Sequence, residues 1–173
     1  MKAIVVLFSF VVMAGSICAA ESEQPVEDFS LLDMQGNIHR MSEYSSSRGI
    51  VFLSSSSECP MSKEISAAYS KIESRFFDLR FKFMELNFGE VDGVSPGRRQ
   101  QDVDIPVLLD ENRLVSRSLG IRKTNEVLVF DPKTFQVIYR GQPDHNLEVA
   151  LFTILAGEEV MNAISNGPGC EVD

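Results

Sequence analysis

Three cysteines, Cys18, Cys59 and Cys170, and two histidines, His39 and His145, are the soft or nucleophilic side chains of this sequence. Cys59 stands in Ser-Glu-Cys-Pro-Met-Ser, directly after an apolar run and a serine-rich turn and directly before Pro60 and a helical pattern. The thiolate is the reactive form of cysteine, and the N–H groups and dipole at a helix N-terminus favour that charge. The sequence therefore predicts that Cys59 caps the helix and that its thiol ionises more readily than a free one. Lys63 supports this, while Glu58 and Glu64 oppose it. The competing reading is a small buried hydrophobe, the commonest fate of a free cysteine. Position argues against it, because open α/β sheets place ligands and reactive groups at the C-terminal ends of their central strands. The histidines are far apart in sequence and in no His-x-x-x-His arrangement, so both are expected at the surface. No metal site and no cofactor are expected.

The elements that must position Cys59 follow from periodicity. Phe29 to Leu32 and Ile38 to Met41 flank a turn containing Gly36 and read as a hairpin. Gly49 to Leu53 is an unbroken apolar run, suited to a strand buried on both faces. From Pro60 to Phe77, residues Met61, Ile65, Ala68, Tyr69, Ile72 and Phe76 recur at helical spacing, with Pro60 as the first helical residue. Phe81 to Phe88 reads as a strand, residues 89–104 as a loop or irregular helix, and Ile105 to Asp110 as a short strand. Asn112 to Leu119 is a helix stopped by Gly120. Two strands, Val127 to Phe130 and Val137 to Tyr139, precede a closing helical segment, Leu147 to Ile164, which Gly157 interrupts. Strands joined through helices, then a hairpin and a terminal helix, imply an α/β fold with a central mixed sheet and helices on both faces.

At 173 residues the chain accommodates one domain. Residues 1–20 combine Lys2, an apolar run and small residues, the build of a secretory signal peptide cleaved after Ala20. The run is shorter than the roughly 20 residues that a membrane span needs, so no span is expected in the mature protein. The expected organisation is a signal peptide at 1–20, a domain at 21–165 and a flexible tail at 166–173, exported to the periplasm or the exterior. Cleavage leaves Cys59 and Cys170, which outside a reducing compartment can pair, or of which one can react. With 16 Lys plus Arg against 25 Asp plus Glu, a net charge of -9 and no Trp, nucleic acid is not an expected partner. The oligomeric state is not fixed by the sequence.

In order and spacing, several segments resemble the redoxin branch of the thioredoxin-like superfamily, the peroxiredoxin-like alkyl hydroperoxide reductase/thiol-specific antioxidant domains. These are Asp28-Phe29-Ser30-Leu31, Val51-Phe52-Leu53 leading to Glu58-Cys59-Pro60-Met61-Ser62, Ile105-Pro106-Val107-Leu108, Thr124 to Asp131 and Tyr139-Arg140-Gly141. The resemblance implies a thioredoxin-like three-layer sandwich with an N-terminal hairpin extension. It also implies a thiol oxidoreductase in which Cys59 is the nucleophile, Ser56 supports its thiolate, and Cys170 in Gly-Pro-Gly-Cys resolves an oxidised Cys59. Pro60, Ser62, Thr124 and Asn125 would line the substrate approach, and the partner would be a thiol or disulfide reductant or a protein-thiol substrate.

Departures from the family pattern bear on mechanism. Ser62 replaces the second cysteine of a Cys-x-x-Cys couple, and Phe52 stands where peroxiredoxins carry proline. Asn125 stands where thioredoxins carry a cis-proline and typical peroxiredoxins an arginine, a role for which Arg122 is a weak substitute. The alternative reading is a non-catalytic or copper-handling module, with Cys59, Met61, His145 and Cys170 as soft ligands if the fold joins them.

Overall fold

The computed structural model describes residues 25–88, 105–160 and 167–172. The expected signal peptide, the 89–104 segment and the end of the expected closing helix lie outside the described residues.

The chain opens with the antiparallel hairpin β1 (Ser30–Leu32) and β2 (Ile38–Arg40), in the register Leu31 to His39. Its turn is organised by Asp33, whose carboxylate accepts the backbone N–H groups of Gln35 (2.9 Å) and Asn37 (2.8 Å) and the Asn37 amide (3.0 Å). Gly36 supplies the left-handed residue, at φ 85°. His39 departs from its expected surface position. Its Nε2 lies 2.8 Å from Asp33 Oδ2, its Nδ1 lies 2.6 Å from the Tyr44 hydroxyl, and its side chain is 12% exposed. Burial works to raise the Asp33 carboxyl, but the hydrogen bonds from Asn37, His39 and Gln35 together hold it below its usual value. His145 is a surface residue, with its side chain 84% exposed.

The main sheet has five strands: β3 (Gly49–Ser55), β4 (Phe81–Asn87), β5 (Val107–Leu109), β6 (Val127–Asp131) and β7 (Gln136–Gly141), in spatial order β5-β4-β3-β6-β7. β3 is central, parallel to β4 and antiparallel to β6, and every one of its residues is buried. Alternation along the strands divides the core into two. Val51, Leu53, Phe81, Phe83, Val127 and Val129 face α1 (Ser62–Phe76) and α3 (His145–Ala156), meeting Tyr69, Ile72, Phe76, Leu147 and Leu151. Ile50, Phe52, Met84, Leu86, Leu128 and Phe130 turn the other way, toward Met41 and the residues around α2 (Leu114–Ser118), including Val115, Leu119 and Ile121. These are the three layers. α1 is fixed to the sheet by Tyr69, whose buried hydroxyl contacts the carbonyls of Val51 (2.6 Å) on β3 and Met84 (3.0 Å) on β4.

Helix boundaries differ in detail from expectation. α2 begins two residues later than Asn112, after Arg113 in a left-handed conformation at φ 55°. Gly157 caps α3: at φ 75° its N–H donates to the Ile154 carbonyl, closing that helix's final turn, and the expected segment beyond residue 160 lies outside the described residues.

Candidate functional site

β3 delivers the chain to the C-terminal end of the sheet, where Ser56 to Ser62 make two consecutive turns. The Cys59 N–H donates to the Ser56 carbonyl (3.2 Å), and the Ser62 N–H donates to the Cys59 carbonyl (3.1 Å). This corrects the expectation that Pro60 opens the helix and Cys59 caps it. α1 begins at Ser62, with Met61 at the N-cap, where no side-chain cap bond is made. The residue before a proline is disfavoured in helical conformation, so Cys59 stays outside the helix and its turn stands ahead of the helix end.

Cys59 is 3% exposed, whereas the next two residues are not buried: Pro60 is exposed and Met61 is 39% exposed. Ser56 enters mainly through its backbone: its carbonyl accepts from the Cys59 N–H and from the Ser62 hydroxyl (2.9 Å), and its own hydroxyl accepts the Glu58 N–H (3.3 Å). The group brought to the Cys59 sulfur is the Asn125 amide, with Nδ2 3.7 Å from Sγ. Asn125 is fully buried, at φ 66°. Its Oδ1 lies 3.3 Å from the Ser62 hydroxyl, and its backbone N–H donates to the Ser54 carbonyl (2.7 Å), which fixes the backbone that carries the amide. Read from the sequence, Asn125 is a loss of family chemistry; in the structure it supplies a donor.

Ser54, which the sequence analysis did not single out, locks this loop to β3. Its hydroxyl bridges the carbonyls of Lys123 (2.9 Å) and Glu126 (3.1 Å) and accepts the Glu126 N–H (2.9 Å). A serine ending an otherwise apolar central strand was the available signal. Beneath the site on β4, burial raises the Glu85 carboxyl above its ordinary value, with the Ser66 hydroxyl opposing. Arg122 is exposed.

The tail reaches this site. Cys170 is joined to Cys59 in a disulfide, with Cα atoms 5.9 Å apart and a sequence separation of 111. Cys170 O accepts the Thr124 N–H (2.8 Å), the Cys170 N–H donates to the Thr124 hydroxyl (2.9 Å), and the Val172 N–H donates to the Arg122 carbonyl (2.9 Å). In this disulfide-bonded form Thr124 and Asn125, expected along the substrate approach, lie buried beneath the tail and against Cys59, whereas Pro60 faces solvent. Among the described residues no group of three or more His, Cys, Asp or Glu side chains could hold a metal ion, and no helix is long and apolar enough to cross a membrane.

At the sequence level, residues 22–142, a span that includes Cys59 and the loop ahead of β6, match the AhpC/TSA family. The chain belongs to the AhpC/TSA family. No curated protein matches it. Among solved structures, this AhpC/TSA chain is similar to an uncharacterized conserved protein of Geobacillus kaustophilus, at 19% identity and TM-score 0.75, over 87% of this chain and 90% of that one. It is also similar to a candidate thiol:disulfide interchange protein, DsbE, of Chlorobium tepidum, at 14% identity and TM-score 0.62, over 78% and 98% of the two chains. A third likeness is to the peroxidoxin BcpB of Mycobacterium tuberculosis, at 19% identity and TM-score 0.56, over 78% and 94%. These likenesses make the AhpC/TSA fold here thioredoxin-like: a mixed central sheet between helices, with a small N-terminal hairpin sheet.

Proposed function

We propose that the protein is an exported thiol-dependent oxidoreductase in which Cys59 reacts with a peroxide or a disulfide and Cys170 resolves the product. The observation that carries this reading is the Cys59–Cys170 disulfide at the C-terminal end of β3, with a buried amide donor on the Cys59 sulfur. In the reduced protein the Asn125 Nδ2–H favours a thiolate on Cys59. With a peroxide, that thiolate attacks one oxygen, the O–O bond breaks, and the products are a sulfenic acid and an alcohol or water. The Cys170 thiol then displaces water to form the disulfide. With a disulfide substrate, Cys59 forms a mixed disulfide and Cys170 displaces the second substrate thiolate. In both, an external dithiol, or two thiols, returns the pair to the reduced state. Two structural neighbours, a peroxidoxin and a thiol:disulfide interchange protein, support these two substrate classes equally. Export rests on the signal-like residues 1–20, and the proposed layout is a signal at 1–20, the catalytic domain at 21–165 and the resolving tail at 166–173.

The test is reaction of the reduced protein with hydrogen peroxide and, separately, with insulin disulfides. Wild type should turn over at least one of them, Cys59→Ser neither, and Cys170→Ser should stall with a dimedone-reactive or substrate-linked Cys59. A Cys59 that reacts no faster than free cysteine, together with stoichiometric copper binding, would instead support the metal-handling module.

A further inference from the structure

Among the described residues, the tail pairs with a short track of chain, Arg122 to Thr124. Three hydrogen bonds, from Thr124 N–H to Cys170 O (2.8 Å), from Cys170 N–H to Thr124 Oγ1 (2.9 Å) and from Val172 N–H to Arg122 O (2.9 Å), flank an antiparallel bridge between Lys123 and Glu171. Thr124 is 2% exposed. The next residue on the same track is Asn125, whose amide touches the Cys59 sulfur. The element that aligns Cys170 is therefore continuous with the element that aligns its target. The fit is close at one point: a Cβ added to Gly169 would stand 2.1 Å from the Thr124 carbonyl oxygen, which is backbone and has no rotamer by which to move away. A side chain at 169 must lift the tail off the track by about an ångström.

We infer that Gly169 and Thr124 are positioning residues for disulfide closure: they seat the tail so that the Cys170 sulfur meets an oxidised Cys59 in attacking geometry. This rests on the reading that Cys170 resolves Cys59. In the step concerned, the Cys170 thiolate attacks the Cys59 sulfur and the S–S bond forms. The bond from Cys59 to its leaving group breaks, and that group departs with the electron pair and takes up the proton lost by Cys170. The rate depends on the local concentration and orientation of the attacking sulfur. A misplacement of about 1 Å costs up to roughly 100-fold in such a step. Closure in Gly169→Ala should therefore slow by about 10- to 100-fold. Thr124→Val removes only the hydroxyl that accepts the Cys170 N–H and should slow closure by about 2- to 10-fold.

The experiment uses the full chain, reduced and then mixed with oxidised glutathione, with acid quenching and mass analysis of the Cys59–glutathione intermediate as it converts to the Cys59–Cys170 disulfide. The expected result is slow closure in Gly169→Ala, intermediate closure in Thr124→Val and wild-type closure in Glu171→Gln, which changes an exposed side chain of the same tail. Formation of the glutathione adduct on reduced Cys59, which depends on the folded site but not on the tail, should be the same in all four proteins. Closure of Gly169→Ala within twofold of wild type overturns the inference, as does an equal slowing by Glu171→Gln. If wild type itself stops at the glutathione adduct, Cys170 is not a resolving thiol, and the proposed function and this inference fall together.

Discussion

Removing the Cys59–Cys170 bond, by reduction or by Cys170→Ser, has an effect whose size follows from chain topology. The pair is 111 residues apart, and cross-linking a loop of that length removes about 16 cal/mol/K of entropy from the unfolded chain, or about 4.8 kcal/mol at room temperature. For a domain of this size each kcal/mol moves the melting temperature by about 2–4 °C, so the reduced protein should melt roughly 10–20 °C lower. Linkage sets a second readout. Whatever stability the bond gives the fold, the fold returns to the bond, so the native disulfide should form about 3,000-fold more readily than the same bond in the unfolded chain, equivalent to about 100 mV. Scanning calorimetry with and without a phosphine reductant measures the first quantity, and equilibration with glutathione in buffer and in denaturant measures the second. A melting shift below about 3 °C, or two readouts that disagree by more than about 2 kcal/mol, would refute the unfolded-chain argument.

Asn125→Gly keeps a residue suited to the positive φ while deleting the amide that faces sulfur. A hydrogen bond to a charged group is worth about 1.5–3 kcal/mol, so iodoacetamide should alkylate reduced Cys59 at neutral pH about 10-fold or more slowly, and an unchanged rate would rule out the donor role. Glu85 gives a pH-dependent stability. Its carboxyl titrates above the ordinary 4.5 in the fold, so between those two values the folded state holds the extra proton and stability falls as pH rises. Glu85→Gln should therefore melt higher than wild type at neutral pH and equal to it well below pH 4.5, as followed by thermal unfolding across pH; a gain that persists in acid would contradict the assignment.

The fold was legible where one pattern admitted one structure. The unbroken run Gly49 to Leu53 suited a strand covered on both faces, and it is the fully buried β3. Phe81 to Phe88 read as a strand, and β4 turns Phe81 and Phe83 to one core and Met84 and Leu86 to the other, as strand alternation requires. Helix starts were less legible, because Pro60 is compatible both with a first helical turn and with the turn before it. What decided between them was the pair of bonds from Ser56 to Cys59 and from Cys59 to Ser62, which a periodicity argument does not see. His39 was misread for a related reason. Its neighbours Asp33 and Tyr44 come together only through hairpin register, and a histidine considered alone looks like a surface residue. At Asn125 a comparison of residue types registers a missing arginine or proline. That its amide lies against the Cys59 sulfur comes only with the fold.

A cross-link that joins one end of the central sheet to the far end of the chain also acts as a mechanical fuse. Pulled by its termini, the oxidised molecule keeps 111 residues, about 400 Å of extensible length, locked behind a covalent bond. Once force has opened the fold, the reduced molecule extends by that length and the oxidised one does not, so an optical-trap recording would read the oxidation state of a single molecule as a distance.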